Sequence, residues 1–306
     1  MSNSTMPLHL GGIALLLTLI GCTTVTNNNI SANTQRTTDQ QMQVAAMPGV
    51  RAGQAGVVPA PAQPSARPGP PPRPADLGVP LADLRRNYSG SVLLAGRQAP
   101  LPDGEWFLVG RGIARGRGSD VNEELLMLRA DGNSVSGFLT YSANPLAKPA
   151  PGYRLFPSCS DSNYLYADVR EATPGGRQDC LSIQFVSEAA LRAPNVPAGV
   201  KALVDAANAR NLAIPETMLV ASLVQANATH GMVFTLYLNP DLAGVPPEPS
   251  SVRAQSGWAS FNLDKDPTRA AYVQRLKAWS EGWHGVLQTA FDGQGAHVPP
   301  GAGATP

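Results

Sequence analysis

A run of glycines and arginines is the first part of this sequence with the composition of a binding site. Residues 110–118 read G-R-G-I-A-R-G-R-G. The side chains of Arg111, Arg115 and Arg117 could clasp an anion such as a lipid phosphate. The glycine spacing, G-x-G-x-x-x-G, differs from the dinucleotide fingerprint G-x-G-x-x-G, and no helical pattern follows directly. A flexible loop between two strands would have the same composition, so both interpretations stay open.

Residues with the chemistry of catalysis are few and poorly spaced. Only His230 and His284 lie in the part of the chain that contains aromatic residues, and neither belongs to an H-E-x-x-H motif. A G-x-S-x-G nucleophile motif is absent from the sequence. Glu123 and Glu124 are adjacent on a predicted strand approach, so they should alternate faces and suit solvation better than acid–base catalysis. We therefore expect no enzyme activity, no metal and no cofactor.

Three tryptophans could form a sugar-binding platform. They are Trp258, Trp279 and Trp283. Trp279 and Trp283 are four residues apart, on one apolar face of a predicted helix, which favours a place in the core. If they proved exposed on one patch, carbohydrate binding would be the better interpretation.

Two cysteines are predicted to form a disulfide. Cys159 and Cys180 flank a strand pattern, a Pro174-Gly175-Gly176 turn signal and the start of a second strand pattern. A hairpin would bring the two thiols together across its open end. A metal site would need further ligands, and a C-x-x-C redox motif is absent from the sequence.

The beginning of the sequence carries the strongest family signal. An apolar run over 10–21 has the length of a signal-peptide core and is too short to span a bilayer, which needs roughly 20 apolar residues. It ends in Leu19-Ile20-Gly21-Cys22, which resembles the lipobox of bacterial lipoprotein precursors. Residues 1–9 contain no Lys or Arg, which departs from the usual basic start.

The lipobox resemblance implies a processed and lipidated chain. Residues 1–21 would be the signal peptide, cleaved between Gly21 and Cys22, and Cys22 would carry a diacylglyceryl group and further acyl chains such as palmitate. Thr23 follows the lipidated cysteine, as in lipoproteins sorted to the outer membrane.

A polar and then proline-rich segment separates Cys22 from the predicted domain. All aromatic residues lie between Tyr88 and Phe291, while 59–74 holds eight prolines. Residues 22–84 should form a disordered tether, because such composition cannot bury enough apolar surface. That tether would span about 45 Å as a flexible coil and roughly 190 Å when extended. A ligand for a proline-binding domain is the alternative for the tract.

Strand patterns dominate the first half of the predicted domain. One strand covers 105–114, and a hairpin covers 124–142 around Asp131-Gly132-Asn133. The cysteine hairpin follows. Two further strands cover 217–225 and 231–238. The spacing predicts an antiparallel meander.

Two helical patterns complete the domain. Residues 198–211 follow Pro197, and a long amphipathic helix begins after Asp266 as N-cap and ends at Asp292-Gly293. The sequence thus predicts one α+β domain over 85–292, with a mainly antiparallel sheet, a mid-chain helix and a long C-terminal helix packed on it. Residues 293–306 should form a disordered tail.

These patterns lead to one functional expectation and two alternatives. The net charge of +1, with 15% charged residues, gives no indication of nucleic-acid binding. We expect an outer-membrane-anchored, non-enzymatic lipoprotein that contacts another envelope protein or peptidoglycan, facing the periplasm or the cell surface. The alternatives are a lipoprotein that binds a glycan or small ligand and, less favoured, a cell-envelope enzyme using His230 or His284.

Overall fold

Ten strands and four α-helices make up the described part of the chain. The computed structural model describes residues 86–115, 121–148, 150–160, 163–248, 255–295 and 297–306. The lipobox, the predicted signal peptide and tether, and Arg117 lie outside the described residues. Among the described residues, no helix combines the length and the apolar character needed to cross a membrane.

The elements are numbered in chain order. The strands are β1 (Asn87–Tyr88), β2 (Ser91–Leu94), β3 (Arg97–Pro100), β4 (Trp106–Arg115), β5 (Val121–Asp131), β6 (Ser134–Ala143), β7 (Tyr166–Ala172), β8 (Gln178–Ser187), β9 (Thr217–Ala226) and β10 (Gly231–Leu238). The helices are α1 (Glu188–Leu191), α2 (Ala198–Ala209), α3 (Ser260–Leu263) and α4 (Pro267–Phe291). Short 3-10 turns cover Pro157–Cys159 and Pro240–Ala243.

Two meanders join into one antiparallel sheet of eight strands. The strand order is β1-β4-β5-β6-β10-β9-β8-β7, and β2 pairs with β3 in a separate hairpin. The two meanders meet where β6 pairs with β10, with Leu139 opposite Leu236. The predicted α+β class is therefore confirmed, but the sheet is two meanders instead of one. The pairing of β6 with β10 is a long-range contact that strand patterns cannot show.

The long helix α4 begins as its sequence predicts. Asp266 caps it, accepting hydrogen bonds from the backbone N–H groups of Thr268 at 3.1 Å and Arg269 at 3.0 Å. Pro267 occupies the first turn, where its missing N–H costs nothing. The predicted N-cap and the predicted end at Asp292 are both confirmed.

The helix α4 covers one face of the sheet and encloses the larger core. Leu276 and Trp283 of α4 pack with side chains from both meanders, including Tyr141 and Phe234, whose rings are 5.0 Å apart. Burying each such side chain contributes about 1.5–3 kcal/mol. This layer positions His284, the neighbour of Trp283, against the sheet.

The helix α2 packs on the opposite face. Its four buried residues are Val200, Leu203, Val204 and Ala207. They belong to a second core cluster with Leu128, Phe138 and Met218. They are spaced at i, i+3, i+4 and i+7 and so share one helix face. The helix predicted over 198–211 is confirmed and ends at Ala209. The strand β9 is buried almost throughout, because helices cover the sheet on both faces.

The Cys159–Cys180 disulfide is present. The two Cα atoms are 5.3 Å apart, and both residues are buried against Val224. Cys180 lies within the ladder of β7 and β8, opposite Val169. Cys159 lies in the 3-10 turn that packs on β8 and β9, so the bond fastens a preceding turn to the sheet and does not close the open end of the hairpin.

The C-terminal residues lie against the domain, although the sequence predicts a disordered tail over 293–306. The Asp103 N–H donates to the carbonyl of Gly303 at 2.8 Å. Val298 packs against the larger core. The strand β1 begins at Asn87 and α4 ends at Phe291, within the predicted domain bounds.

Candidate functional site

A buried polar cluster joins α4 to the β7 edge of the sheet. His284 projects from α4, Asp179 from β8, Gln225 from β9 and Arg170 from β7. Asp179 and Gln225 are direct cross-strand neighbours. His284 and Gln225 are each 2% exposed, and Asp179 is 7% exposed. Four elements therefore meet at one histidine.

The two ring nitrogens of His284 face different partners. The Nε2 atom lies 2.5 Å from Oδ1 of Asp179, and Nδ1 lies 2.5 Å from a guanidinium nitrogen of Arg170. Arginine can only donate, so Nδ1 accepts and the ring proton of a neutral His284 lies on Nε2, facing the carboxylate. Gln225 Nε2 donates to Asp179 Oδ1 at 3.3 Å. Its 2.7 Å contact with His284 Nε2 joins two donor nitrogens in this tautomer and is not a hydrogen bond. The chain of bonds runs from Arg170 through His284 to Asp179.

The charges around Asp179 keep its carboxylate ionised. Burial alone would raise its pKa, but the hydrogen bond and electrostatic interaction with His284 and the charges of Arg170 and Arg177 outweigh burial, and the net pKa is lowered. Arg177 lies 3.8 Å from Asp179 at the rim. Arg170 also pairs with Asp168 at 2.9 Å.

This geometry fits a structural role, in which the cluster holds α4 against the sheet, better than it fits a catalytic dyad. A general base must reach a substrate proton, whereas both ring nitrogens of His284 are already engaged and the residue is buried. A second bond at the same edge joins Tyr166 of β7 to Glu281 of α4, at 2.8 Å. The cluster thus fixes the helix to the edge strand.

The other histidine lies in a turn. His230 Nδ1 is 3.0 Å from the hydroxyl of Thr229, and burial together with the charge of Arg97 lowers the pKa of His230. In the part of the chain that the structure describes, no group of three or more His, Cys, Asp or Glu side chains is placed to hold a metal ion.

Arg111 faces the inside of the protein. Its guanidinium contacts Glu123 Oε1 at 2.6 Å and donates to the carbonyl of Leu93 at 2.8 Å. The side chains of Arg111 and Glu123 are only 5% and 1% exposed. Solvation of Glu123 was therefore a wrong expectation, and Arg111 is occupied by an internal carboxylate. Arg115 ends β4, so residues 110–115 of the Gly-Arg run are strand and not loop.

The tryptophans do not form an open platform. Trp258 is 1% exposed and Trp283 is fully buried. Trp279 is half-buried and stacks on Trp283, with ring centroids 5.4 Å apart. The preferred interpretation from their helical spacing, a place in the core, agrees with this arrangement.

Sequence reasoning missed most members of the polar cluster. Asp179 and Gln225 stand next to long apolar runs, at the ends of strands that are otherwise buried. A polar residue in such a strand needs an internal partner, so both were detectable as buried groups. Arg170, on the exposed edge strand, carried no signal of this kind.

Comparison with known proteins adds no family. No protein-family model, curated protein or solved structure matches the chain.

Proposed function

We propose that this chain is a bacterial lipoprotein anchored in the outer membrane through lipid on Cys22, and that its domain has a non-enzymatic interaction role in the cell envelope. The Cys159–Cys180 disulfide is the observation that carries the proposal. Structural disulfides persist in exported proteins and are rare in the reducing cytosol. The lipobox Leu19-Ile20-Gly21-Cys22 supplies an independent sequence signal for export.

The proposed anchor is strong enough to hold the domain at the membrane. Each buried CH₂ contributes about 0.8 kcal/mol, and two or more acyl chains bind far more stably than one. The tether over 22–84 would then set how far the domain lies from the bilayer.

The internal engagement of the reactive side chains supports an interaction role. The ring nitrogens of His284 and the guanidinium of Arg111 are bonded within the domain. A glycan- or ligand-binding lipoprotein is the second candidate. It would need a surface other than Trp258 and Trp283, which are buried.

Metabolic labelling with palmitate tests the anchor. The full chain should incorporate label and fractionate with the outer membrane, and Cys22→Ala should abolish the labelling. Cys159→Ala is the matched control, because it also removes a cysteine but leaves the lipobox intact. An unlabelled wild-type chain would overturn the anchoring proposal.

Photo-crosslinking in cells tests the interaction role. A crosslinking residue would replace one exposed apolar side chain at a time, at Leu146, Val169 or Phe261, which are 53%, 47% and 61% exposed. Asp205, exposed on α2, is the control position. A defined adduct from one position, absent from Asp205 and lost with Cys22→Ala, is the expected result.

Other outcomes point to the alternatives. A monomer without adducts at all tested positions would favour ligand binding and lead to a screen of glycans and lipids. Turnover of a cell-wall or lipid substrate by the purified chain, lost on a single polar substitution, would overturn the non-enzymatic role.

A further inference from the structure

The segment after α4 has a defined conformation on the domain surface. Ala302 N–H donates to the Pro299 carbonyl at 3.0 Å, and Ala304 N–H donates to the Gly301 carbonyl at 3.3 Å, forming two consecutive turns. Val298 packs against the core at the start of the segment. Residues 297–306, here called the C-terminal segment, therefore lie on the domain in one geometry.

Gly303 is the closest point of contact. It is buried, whereas Ala302 is half-buried and Ala304 is exposed, and its carbonyl accepts from the backbone N–H of Asp103. A Cβ atom at Gly303 would lie 2.1 Å from Oδ1 and 3.1 Å from the backbone nitrogen of Asp103. A side chain at this position would have to displace the Asp103 carboxylate and would press against the backbone nitrogen of Asp103, so the contact favours glycine.

Arg129 provides the second contact. Its Nη2 donates to the hydroxyl of Thr305 at 3.0 Å, while its Nε and Nη1 donate to Ser136 Oγ at 3.0 Å and to the carbonyl of Asp103 at 2.7 Å. The guanidinium also lies 4.9 Å from the ring of Trp106. The domain therefore holds this cation in place, and Thr305 supplies one of its acceptors.

A cleft continues beside the segment. It has a volume of about 360 Å³, and its lining includes Asp131, Asn239 and Leu242 as well as Arg129 and Thr305. Leu242 is 48% exposed. The contact site of the segment is thus continuous with open space that has both polar and apolar walls.

We propose that Asp103, Arg129 and the adjoining cleft form a peptide-recognition groove. Its ligand is an uncharged segment of small residues, with a glycine two residues before a residue that carries a hydroxyl group. Residues 297–306 occupy this groove as an internal ligand. The backbone bond at Asp103, the close approach that favours glycine and the Arg129–Thr305 bond define the specificity. A partner segment of the same chemistry binds when it displaces the internal one. This inference does not depend on lipidation or on the proposed envelope role.

Occupancy by the internal segment controls the affinity for a partner. A tethered ligand competes at an effective concentration of about millimolar. Weakening the internal segment should therefore increase the affinity for an external peptide without any change in the groove.

Fluorescence anisotropy with a labelled peptide of residues 297–306 tests the groove. The full chain carrying Gly303→Val should bind it saturably and at least tenfold more tightly than the wild-type chain does. A peptide with the Gly303→Val change should bind at least tenfold more weakly, because the valine must displace the Asp103 carboxylate. A peptide with Thr305→Val should bind roughly tenfold more weakly, because a hydrogen bond to a charged group is lost.

Equal binding of the original and valine peptides, equal affinity of the two chains, or no binding to the Gly303→Val chain would overturn the proposal. Circular dichroism checks that this variant is folded. If it is not, a chain lacking residues 301–306, which keeps Val298, replaces it. Unfolding of both variants would also overturn the proposal, since the segment would then be an obligatory part of the core.

Discussion

Replacing Glu123 by glutamine should destabilise the domain far more than a surface substitution does, because Arg111 would stay buried without its counter-charge. Glu123 Oε1 accepts from Arg111 at 2.6 Å, and Oε2 accepts from the backbone N–H of Ala95 at 2.7 Å. Glutamine keeps one oxygen, so the change removes the charge and one acceptor. Both side chains of the ion pair are almost fully buried, so solvent screening is weak.

The expected loss in unfolding free energy is about 3 kcal/mol, the lower end of the roughly 3–5 kcal/mol measured for removing one partner of a buried ion pair. With a urea dependence of about 2 kcal/mol per molar, the unfolding midpoint should fall by about 1.5 M. The assay is urea unfolding of the full chain in mild detergent, followed by tryptophan fluorescence, which reports on the buried Trp106 and Trp283.

An exposed ion pair provides the matched control. Lys201 and Asp205 are 2.6 Å apart, with side chains 65% and 58% exposed. Asp205→Asn should change the unfolding free energy by no more than about 0.5 kcal/mol. Arg111→Met combined with Glu123→Gln should recover at least half of the loss, because no unpaired charge remains. The reasoning is refuted if Glu123→Gln and Asp205→Asn shift the midpoint equally.

Three further predictions concern other parts of the domain. Replacing Cys159 and Cys180 by alanine should lower the unfolding free energy by about 3 kcal/mol, since the bond closes a loop over a separation of 21 residues; free thiols in the unreduced wild-type chain would contradict this. The pKa of Asp179 is lowered from 3.8, so its contribution is complete above about pH 4 and is lost as the pH falls through the folded-state pKa. Acid unfolding of Asp179→Asn should therefore show a smaller stability loss below about pH 4 than the wild type, and an unchanged acid limb would argue against it. Asp266→Ala should cost about 1 kcal/mol in thermal unfolding and Asp266→Asn much less, whereas equal losses would exclude a capping role.

Local chemistry made several elements predictable. The N-cap at Asp266 and Pro267 defines the start of α4 through bonds within one turn. The helix α2 and the strand β10 follow from hydrophobic spacing alone. These signals are readable because each depends on neighbours within a few residues.

The candidate site was less accessible from the sequence. The sequence singled out His284 but could not show its structural role, because its partners Asp179, Gln225 and Arg170 come from three different strands. The expectation that Glu123 is solvated was wrong for the same reason. Alternation along β5 predicts the face of the sheet on which a residue lies, but not whether a cation lies on that face. Both depend on the three-dimensional arrangement of elements.

The sequence by itself determined the class of fold, the two long helices and seven of the ten described strands, the pairing of Cys159 with Cys180, and the resemblance to lipoproteins at Cys22. The tertiary structure alone decided that β6 pairs with β10, that Arg111 of the Gly-Arg run and Glu123 form a buried pair, and that Gly303 contacts Asp103. The physical reason is distance along the chain. Capping, periodicity and turns act locally, whereas the partner of a buried charge is chosen when remote elements pack together and exclude water.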